Sequence, residues 1–309
     1  MKRLSFKWIL PVVAMPMLMA SCNSDEPRPE IQQYVTIDRV GVGELQTRGE
    51  IEATGNFMKS GSVIQLWFDS GKDDARYNAS KMIWQCDGKK WSSKTPLLWG
   101  GGSAKYIALC CDSYFYAHES RFGFQYFYND NRFTLNEILL GSSYGKAGWY
   151  DLLVAQGTAT DASLDLKFTH ALAKVIINTN ILSSNVGSHV SSKFYNLYVT
   201  ADCSVSVTDG LKYNFDNRVT GSQYLAGDNT GEYYSCETLV IPQSVDDLML
   251  KIYISEKEEY IVKFDNTQTF EAGKIYEYDV VAGDSNAELK NVTVSQWDDI
   301  ENAANFVTQ

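Results

Sequence analysis

The sequence predicts an all-β protein folded as two domains. Its 309 residues exceed the usual length of a single domain. Nineteen Tyr and fourteen Phe favour strands, because aromatic side chains pack well on a pleated surface. Apolar residues also recur at every second position, most regularly over Leu248–Ile254, which is the period of a strand with one buried face. We therefore expect two β-sandwiches with few, short helices.

The N-terminus is predicted to be a lipoprotein signal peptide covering residues 1–21. Its first residues are basic, and the apolar run Trp8–Met19 that follows is too short to span a membrane comfortably. Small residues then precede Cys22, as in bacterial lipoproteins, so Cys22 is expected to become the lipidated first residue. An ordinary secretory signal with an incidental cysteine is the alternative.

Residues 22–33 are predicted to be a tether. They include a polar, Pro-rich stretch, which favours an extended linker over packed structure. Several lipid chains on Cys22 would hold the protein at the outer membrane, because each buried CH₂ group contributes ~0.8 kcal/mol. Asp25 and Glu26 resemble the acidic signals that send such lipoproteins to the cell surface. The expected location is therefore the exposed side of the outer membrane.

The net charge of −11 argues against one class of partner. An acidic protein repels nucleic acid and anionic lipid headgroups, and the sequence contains no basic stripe that would override this repulsion. Nucleic acid is therefore not an expected partner, whereas other proteins or glycans at the cell surface are.

Residues 34–160 are predicted to form an N-terminal β-sandwich. Apolar residues recur along Val35–Val42 with the spacing of an edge-like strand, and the pattern is interrupted at Leu45–Gly49. One capping-box pattern, Thr134–Glu137, predicts a helix of at most two turns. Further strands are expected at Ile64–Phe68, Tyr106–Cys111 and Phe122–Tyr128.

A change in hydrophobic phase marks the predicted second β-sandwich, residues 161–309. Small and polar residues at Gly157–Ser163 have the composition of a linker. Apolar residues then alternate through a strand predicted at Leu164–Asn178, but the alternation shifts by one residue after His170. Such a shift is typical of a bulge or of a chain that crosses between sheets. Later strands are expected at Phe194–Thr200, Cys203–Val207, Thr238–Ile241, Leu248–Ile254, Tyr260–Phe264, Tyr276–Val280 and Leu289–Trp297.

The same stretch carries a family resemblance. Asp151–Ala155 (DLLVA), a Gly/Thr spacer and Leu164–Asn178 (LDLKFTHALAKVIIN) resemble the central signature of the fimbrillin family. These are the type V pilins of certain Gram-negative anaerobes, together with their anchor and tip relatives. Leu239–Gln243, Phe270–Tyr276 and Val292–Trp297 resemble later motifs of the family. The resemblance implies two tandem transthyretin-like β-sandwiches and a structural role in an adhesive surface fimbria.

The resemblance also implies assembly by β-strand exchange. In that family an arginine-specific protease removes the first strand together with the lipid, and a neighbouring subunit donates a replacement strand. Here the removable strand would lie within residues 34–48, and the processed bond would join Arg48 to Gly49. Arg39 is a poorer candidate because it sits inside the strand, and the donor would be Ala303–Gln309. The alternative is that Arg48 is an ordinary exposed loop residue.

No catalytic, cofactor or metal site is expected. Gly141–Gly145 matches a serine-hydrolase pattern, but the residues that follow are a poor start for the required helix. His118, His170 and His189 have no metal-ligand spacing with one another or with a cysteine. The sequence therefore predicts a structural protein rather than an enzyme.

A second function is kept open, that of a surface lipoprotein that does not polymerise and binds a glycan or a host protein through aromatic loops. Trp84, Trp91 and Trp99 lie close together in sequence, and aromatic rings in loops can stack on sugars. Packing of these rings in the core is the simpler interpretation. A glycan-binding experiment without filament formation would favour this second function.

The cysteines besides Cys22 show no disulfide framework. Cys110 and Cys111 are adjacent, and Cα atoms ~3.8 Å apart lie below the usual disulfide range of ~4.4–6.8 Å. A bond between Cys203 and Cys236, or between Cys86 and one of the adjacent pair, remains open. Buried thiols are the default expectation.

Overall fold

The computed structural model describes residues 32–42, 63–111, 131–135, 152–182, 190–215, 220–230, 233–254, 258–283 and 286–297. The chain divides into two compact units, Met1–Gln32 and Gln33–Gln309. Nearly everything described belongs to the second unit, which is built from several β-sheets. No α-helix occurs in these ranges, and one 3₁₀ turn covers Ala75–Tyr77. The predicted all-β class is confirmed.

A seven-stranded sheet, the first sheet, is formed mainly by residues before 160. Its hydrogen-bonded order is β1-β8-β7-β5-β2-β3-β4. Strand β2 is buried on both faces except at its last residue, which explains its nearly unbroken apolar sequence. The strands are β1 (Thr36–Val42), β2 (Val63–Asp69), β3 (Ala79–Cys86), β4 (Trp91–Ser93), β5 (Ala104–Cys111), β7 (Leu153–Ala159) and β8 (Ser163–His170).

An eight-stranded sheet, the second sheet, contains most of the remaining chain. Its order is β17-β16-β10-β13-β14-β9-β19-β20. β16 carries a strict alternation of half-buried and buried residues, as its sequence predicts. The strands are β9 (Ala173–Ile181), β10 (Val190–Tyr198), β13 (Thr220–Thr230), β14 (Tyr233–Val240), β16 (Met249–Ile254), β17 (Glu258–Lys263), β19 (Lys274–Gly283) and β20 (Asn286–Gln296).

Two smaller sheets complete the described fold. In one, β6 pairs with β11 and β11 with β12, so a strand from the first half of the chain joins two from the second half. In the other, β15 pairs with β18. These strands are β6 (Arg132–Leu135), β11 (Ala201–Ser206), β12 (Gly210–Asn214), β15 (Gln243–Val245) and β18 (Gln268–Phe270).

The core has three parts. The first core lies on one face of the first sheet and includes Leu66 and Phe168. The second core belongs to the second sheet and includes Phe194 and Tyr278. The third core joins residues of both sheets and of the β6-β11-β12 sheet, and it includes Trp67 and Trp297. The halves of the chain are therefore in contact through buried apolar side chains.

The shift of hydrophobic phase after His170 is a crossing between sheets. β8 pairs with β1 and β7 in the first sheet, whereas β9 pairs with β14 and β19 in the second. The prediction of one strand over Leu164–Asn178 is therefore wrong, because two strands meet at Ala171 and Leu172. The domain boundary between residues 160 and 161 stays a prediction, although β8, which follows it, pairs within the first sheet.

The helix predicted from Thr134 is wrong where its start is described. Thr134 and Leu135 belong to strand β6, which pairs with β11. The Thr134 hydroxyl donates to a carboxylate oxygen of Asp202 at 2.7 Å instead of accepting a backbone N–H at a helix start. Residues 136–139 lie outside the described ranges, as does the strand predicted at Phe122–Tyr128.

The cysteine side chains that are described are distributed over the three cores. Cys86 and Cys110 belong to the first core, Cys203 to the third and Cys236 to the second. Cys86, Cys203 and Cys236 are buried thiols outside any disulfide. The expectation of buried thiols is met for these three.

Cys203 and Cys236 are expected to resist thiol reagents in the folded protein at about pH 8. Burial raises the pKa of both thiols, that of Cys236 to about 12. The folded protein keeps protons that the unfolded chain releases above the ordinary thiol pKa of 9.0, so the free energy of unfolding should fall as pH rises from 9.0 towards about 12. Mass spectrometry after alkylation, with and without denaturant, checks the protection, and thermal melts across this range check its pH dependence. Equal labelling of both thiols in the two conditions would contradict it.

Candidate functional site

Strand β1 is the candidate assembly site, and its sequence explains its shape. Val35 and Ile37 are buried at odd positions, and Val40 and Val42 are buried at even positions. The register with β8 shifts between Ile37 and Arg39, and this bulge keeps all four side chains in the first core. The change from odd to even apolar positions between Ile37 and Val40 therefore corresponds to a β-bulge in the structure.

The backbone hydrogen-bond partners of residues 33–42 change along the segment. β1 runs parallel to β8, and the N–H of Thr36 donates to the carbonyl of Ala162 at 2.8 Å. On the opposite side, the N–H of Val35 donates to the carbonyl of Leu97, and Gln33 accepts from the N–H of Trp99, both at 2.8 Å. The later residues of β1 pair only with β8 among the described strands, so β1 is an edge strand, as predicted.

β1 also closes the first core. It is one end of the hydrogen-bonded order of the first sheet, and β4 is the other end. The two ends nevertheless approach each other, and Trp91 of β4 and Leu97 share the first core with the apolar residues of β1. The sheet is therefore curled, and β1 lies at the place where its two ends meet.

One ion pair crosses from β1 to β8. Arg39 is the register partner of Asp165, and its guanidinium binds that carboxylate. The hydrogen bond to Asp165 raises the pKa of Arg39 above its ordinary value. Both side chains are about one-third exposed, so the pair adds little stability. It engages Arg39 within the sheet, which agrees with the expectation that Arg39 is a poor protease site.

The other predicted site residues lie outside the described ranges. These are the lipidation residue Cys22, the processed bond between Arg48 and Gly49, and the donor segment Ala303–Gln309. The structure therefore describes the strand that would be removed and not the bond that would be cut. All of these assignments stay predictions.

Within the described residues, those considered for catalysis or metal binding do not come together in a catalytic or metal site. His170 is buried and stacks on Trp297, with ring centroids 3.7 Å apart. No group of three or more metal-ligating side chains occurs within the described part of the chain. His118, His189 and Gly141–Gly145 lie outside it.

The tryptophans proposed as a sugar platform are mainly core residues. Trp84 and Trp91 are buried with 4% and 6% of their surface exposed, so neither offers a ring face to a sugar. Trp99 is half-buried against the first core, and its ring lies 6.2 Å from that of Phe68. The simpler interpretation of Trp84 and Trp91 is confirmed.

A cavity beside β3 was not predicted from the sequence. It has a volume of about 510 Å³ and lies where β3 extends beyond its short partner β4. Alternating patterns locate strands but not their relative lengths, so nothing in the sequence indicated it. Its lining is mixed and includes Ser80, Lys81, Met82, Ser92, Lys94 and Thr95.

No helix in the described ranges has the length and apolar character needed to cross a membrane.

The fold and the site define a class of all-β protein in which an edge strand completes the core of a sheet. The sequence profile of the fimbrillin-like proteins matches residues 52–297. The chain therefore belongs to the fimbrillin-like family, which makes it a surface protein of the fimbrial type. None of the curated proteins compared with this chain matches it.

Solved structures share the fold. A candidate cell adhesion protein from Bacteroides ovatus has a TM-score of 0.58 and 15% identity, covering 86% of this chain and 96% of its own. A second, from Bacteroides uniformis, has a TM-score of 0.55 and 15% identity, covering 77% and 92%. The tip fimbrial protein Mfa3 from Porphyromonas gingivalis covers 79% and 96% at 10% identity, with a TM-score of 0.46. The first two likenesses show the fold alone.

Proposed function

We propose that this protein is a structural subunit of a cell-surface fimbria that assembles by β-strand exchange at the position of β1. In this proposal the protein is exported as an outer-membrane lipoprotein through Cys22, and its partners are other fimbrial subunits. Adhesion is part of the proposed role, as the names of the two Bacteroides structures suggest for those proteins. The observation that carries the proposal is that an edge strand and the residue before it, Val35, together supply four buried side chains to the first core.

The free energy contributed by β1 favours replacement of this strand by another strand over its removal without replacement. Burial of one such aliphatic side chain contributes about 1.5–3 kcal/mol, so four contribute about 6–12 kcal/mol as an upper estimate. Domains are typically stable by only about 5–15 kcal/mol. A subunit without β1 would therefore be marginal, and it would gain most of this free energy back from a replacement strand of similar pattern.

The backbone hydrogen bonds made by β1 also favour its replacement by another strand. Removal of β1 would expose the edge of β8 and the backbone of Leu97 and Trp99, which now bond to the β1 segment. Unpaired N–H and C=O groups in a groove are a template for an added strand. Alternate pockets once filled by residues such as Ile37 and Val40 would select an apolar donor.

Digestion with an arginine-specific protease tests the proposal. The purified protein should yield a fragment that begins at Gly49, and this fragment should form high-mass polymers on size-exclusion chromatography and filaments in electron micrographs. Arg48→Lys is the matched control, since it keeps the charge but removes the arginine, and it should stay intact at this bond and monomeric. Clean cutting that leaves a stable monomer would contradict the proposal.

A second candidate function is a surface lipoprotein that binds a glycan or host protein without polymerising. The cavity of about 510 Å³ beside β3 is the observation that favours it, because its volume lies in the range of ligand sites and its lining is partly polar. The unchanged protein should then bind on a glycan array and form no polymers after digestion, and Lys94→Glu should abolish the binding. No binding by the unchanged protein would remove this candidate.

A further inference from the structure

Strand β20 is an outermost strand whose second half is exposed. It pairs with β19 on one side. No strand in the described ranges hydrogen-bonds to its other side, although β17, at the opposite end of the second sheet, lies close to it. Ala287 and Leu289 in its first half pack against the second core. Every residue from Lys290 to Gln296 is exposed. The layer that covers the start of β20 therefore does not extend to its end.

A bulge keeps two exposed valines on the core side of the second sheet. The register with β19 shifts between Asp279 and Val280, and this inserts Lys290 into β20. As a result Val292 lies opposite Tyr278 and Val294 lies opposite Tyr276. Directly opposed residues in an antiparallel pair share a face.

The two sides of this pairing differ sharply in exposure. Tyr276 and Tyr278 are 7% and 1% exposed, whereas Val292 and Val294 are 44% and 54% exposed. The apolar face of the sheet thus continues one strand beyond the part of the protein that covers it. Without the inserted residue, the valines would point to the opposite face.

Residues 291–296 of this edge lack the sequence features that usually protect against pairing. Soluble proteins commonly place charged residues, Pro or very short strands at sheet edges. Residues 291–296 read NVTVSQ and contain no charge and no Pro, in a chain whose net charge is −11. Just before this stretch in the sequence, Glu288 and Lys290 form an ion pair of 2.5 Å. On β19, the acidic residues Glu277 and Asp279 are the register partners of Thr293 and Asn291. A partner strand would therefore meet no charged side chain from residues 291–296 themselves.

We propose that β20 is a self-association edge that pairs antiparallel with β20 of a second copy, with Thr293 on the two-fold axis. In this register Val292 faces the partner's Val294, and Asn291 faces the partner's Ser295. Every opposed pair matches apolar with apolar or polar with polar, and each pair lies on one face. The match follows from the sequence being nearly symmetric about Thr293, which is the requirement for a two-fold interface.

A single β20–β20 contact binds weakly in solution. Many such contacts between two arrays of subunits would together bind strongly. Six residues of edge bury less than the ~1,200–2,000 Å² of a stable interface, so one pair dissociates readily. Subunits already held in a fimbria would present many such edges, and their linked contacts would add. The inference concerns lateral pairing and does not depend on cutting after Arg48.

Sedimentation of the uncut protein tests the inference. The weight-average mass should rise towards twice the monomer mass as concentration increases from about 10 µM to about 1 mM, the range of a weak interface. Val294→Lys should stay monomeric throughout, because it places two like charges across the axis. Leu182→Lys is the matched control, since Leu182 is 62% exposed and follows β9, an inner strand of the second sheet, and it should behave as the unchanged protein.

Cross-linking tests the register. Thr293→Cys should form a disulfide-linked dimer under mild oxidation, because residues opposed on the axis have Cβ atoms about 4.5–5.5 Å apart. Ser295→Cys should not, because its two copies would lie four residues out of register. A monomer at all concentrations would overturn the inference, as would equal cross-linking of the two variants. Dimerisation only of a chain ending at Trp297 would also overturn it, by showing that residues 298–309 cover the edge.

Discussion

Val40→Asp is expected to lower the free energy of unfolding of the uncut protein by about 4 kcal/mol or more. Val40 is 4% exposed and lies in the first core, where a carboxylate would lose its hydration without gaining a partner. The substitution also removes the apolar burial that β1 supplies at this position. Chemical denaturation monitored by tryptophan fluorescence measures the change.

Thr36→Asp is the matched control for this effect. Thr36 lies on the same strand and points to solvent, so the same new charge should cost less than about 1 kcal/mol. Equal destabilisation by the two substitutions would mean that the buried face of β1 does not stabilise the fold. Little effect of either would contradict the account of β1 as part of the first core.

Trp297→Ala is expected to destabilise the protein by about 3–5 kcal/mol. Trp297 is 1% exposed, stacks on His170, and donates its backbone N–H to the carbonyl of Gly273 at 2.8 Å. His170 ends β8, and Gly273 in turn donates its N–H to Leu172 at the sheet crossing. Loss of the ring leaves a cavity in the third core, where both sheets meet.

Calorimetry of Trp297→Ala tests this role of the third core. We expect a lower melting temperature and a broader or divided transition, because the contacts that couple the two sheets are weakened. Gln296→Ala is the control, since that residue is exposed and loses only the hydrogen bond that its side chain accepts from Lys274. A single sharp transition at the unchanged temperature would contradict the prediction.

The sequence predicted the strands well where one face is buried and the other is exposed. Leu250, Ile252 and Ile254 are buried in β16 and alternate with half-buried residues, which is the pattern that the sequence carries. The sequence also predicted an edge-like strand over Val35–Val42, where β1 lies at the edge of the first sheet. In both cases the local pattern and the tertiary environment agree.

The failures occurred where pairing with distant residues decides the structure. Thr134 carries a helix-start pattern, yet it lies in a strand because β11, near Asp202, offers backbone pairing and a hydrogen-bond acceptor. The shifted alternation after His170 left a bulge and a sheet crossing open, and only the pairing of β8 and β9 shows that the chain crosses to another sheet. Alternation reports which face is buried, not which sheet buries it.

The assembly site was predicted only in part for a similar reason. The parallel partner of β1 is β8, more than one hundred residues later, and no local pattern indicates such a pairing. The bulge that keeps Val40 in the core was visible only as an irregular spacing. The inward valines of β20 likewise required the register with Tyr276 and Tyr278.

Binding of a peptide with the sequence of Gln33–Val42 to the cut protein is the measurement that tests the central claim most directly. The cut protein is first separated from the segment that it releases, and the peptide is then titrated in by calorimetry. We expect binding of one peptide per subunit, a rise in melting temperature and suppression of polymers, with none of these from the peptide that carries Val40→Asp. A cut protein that stays monomeric, melts like the uncut protein and ignores both peptides would contradict the claim that β1 is a replaceable strand.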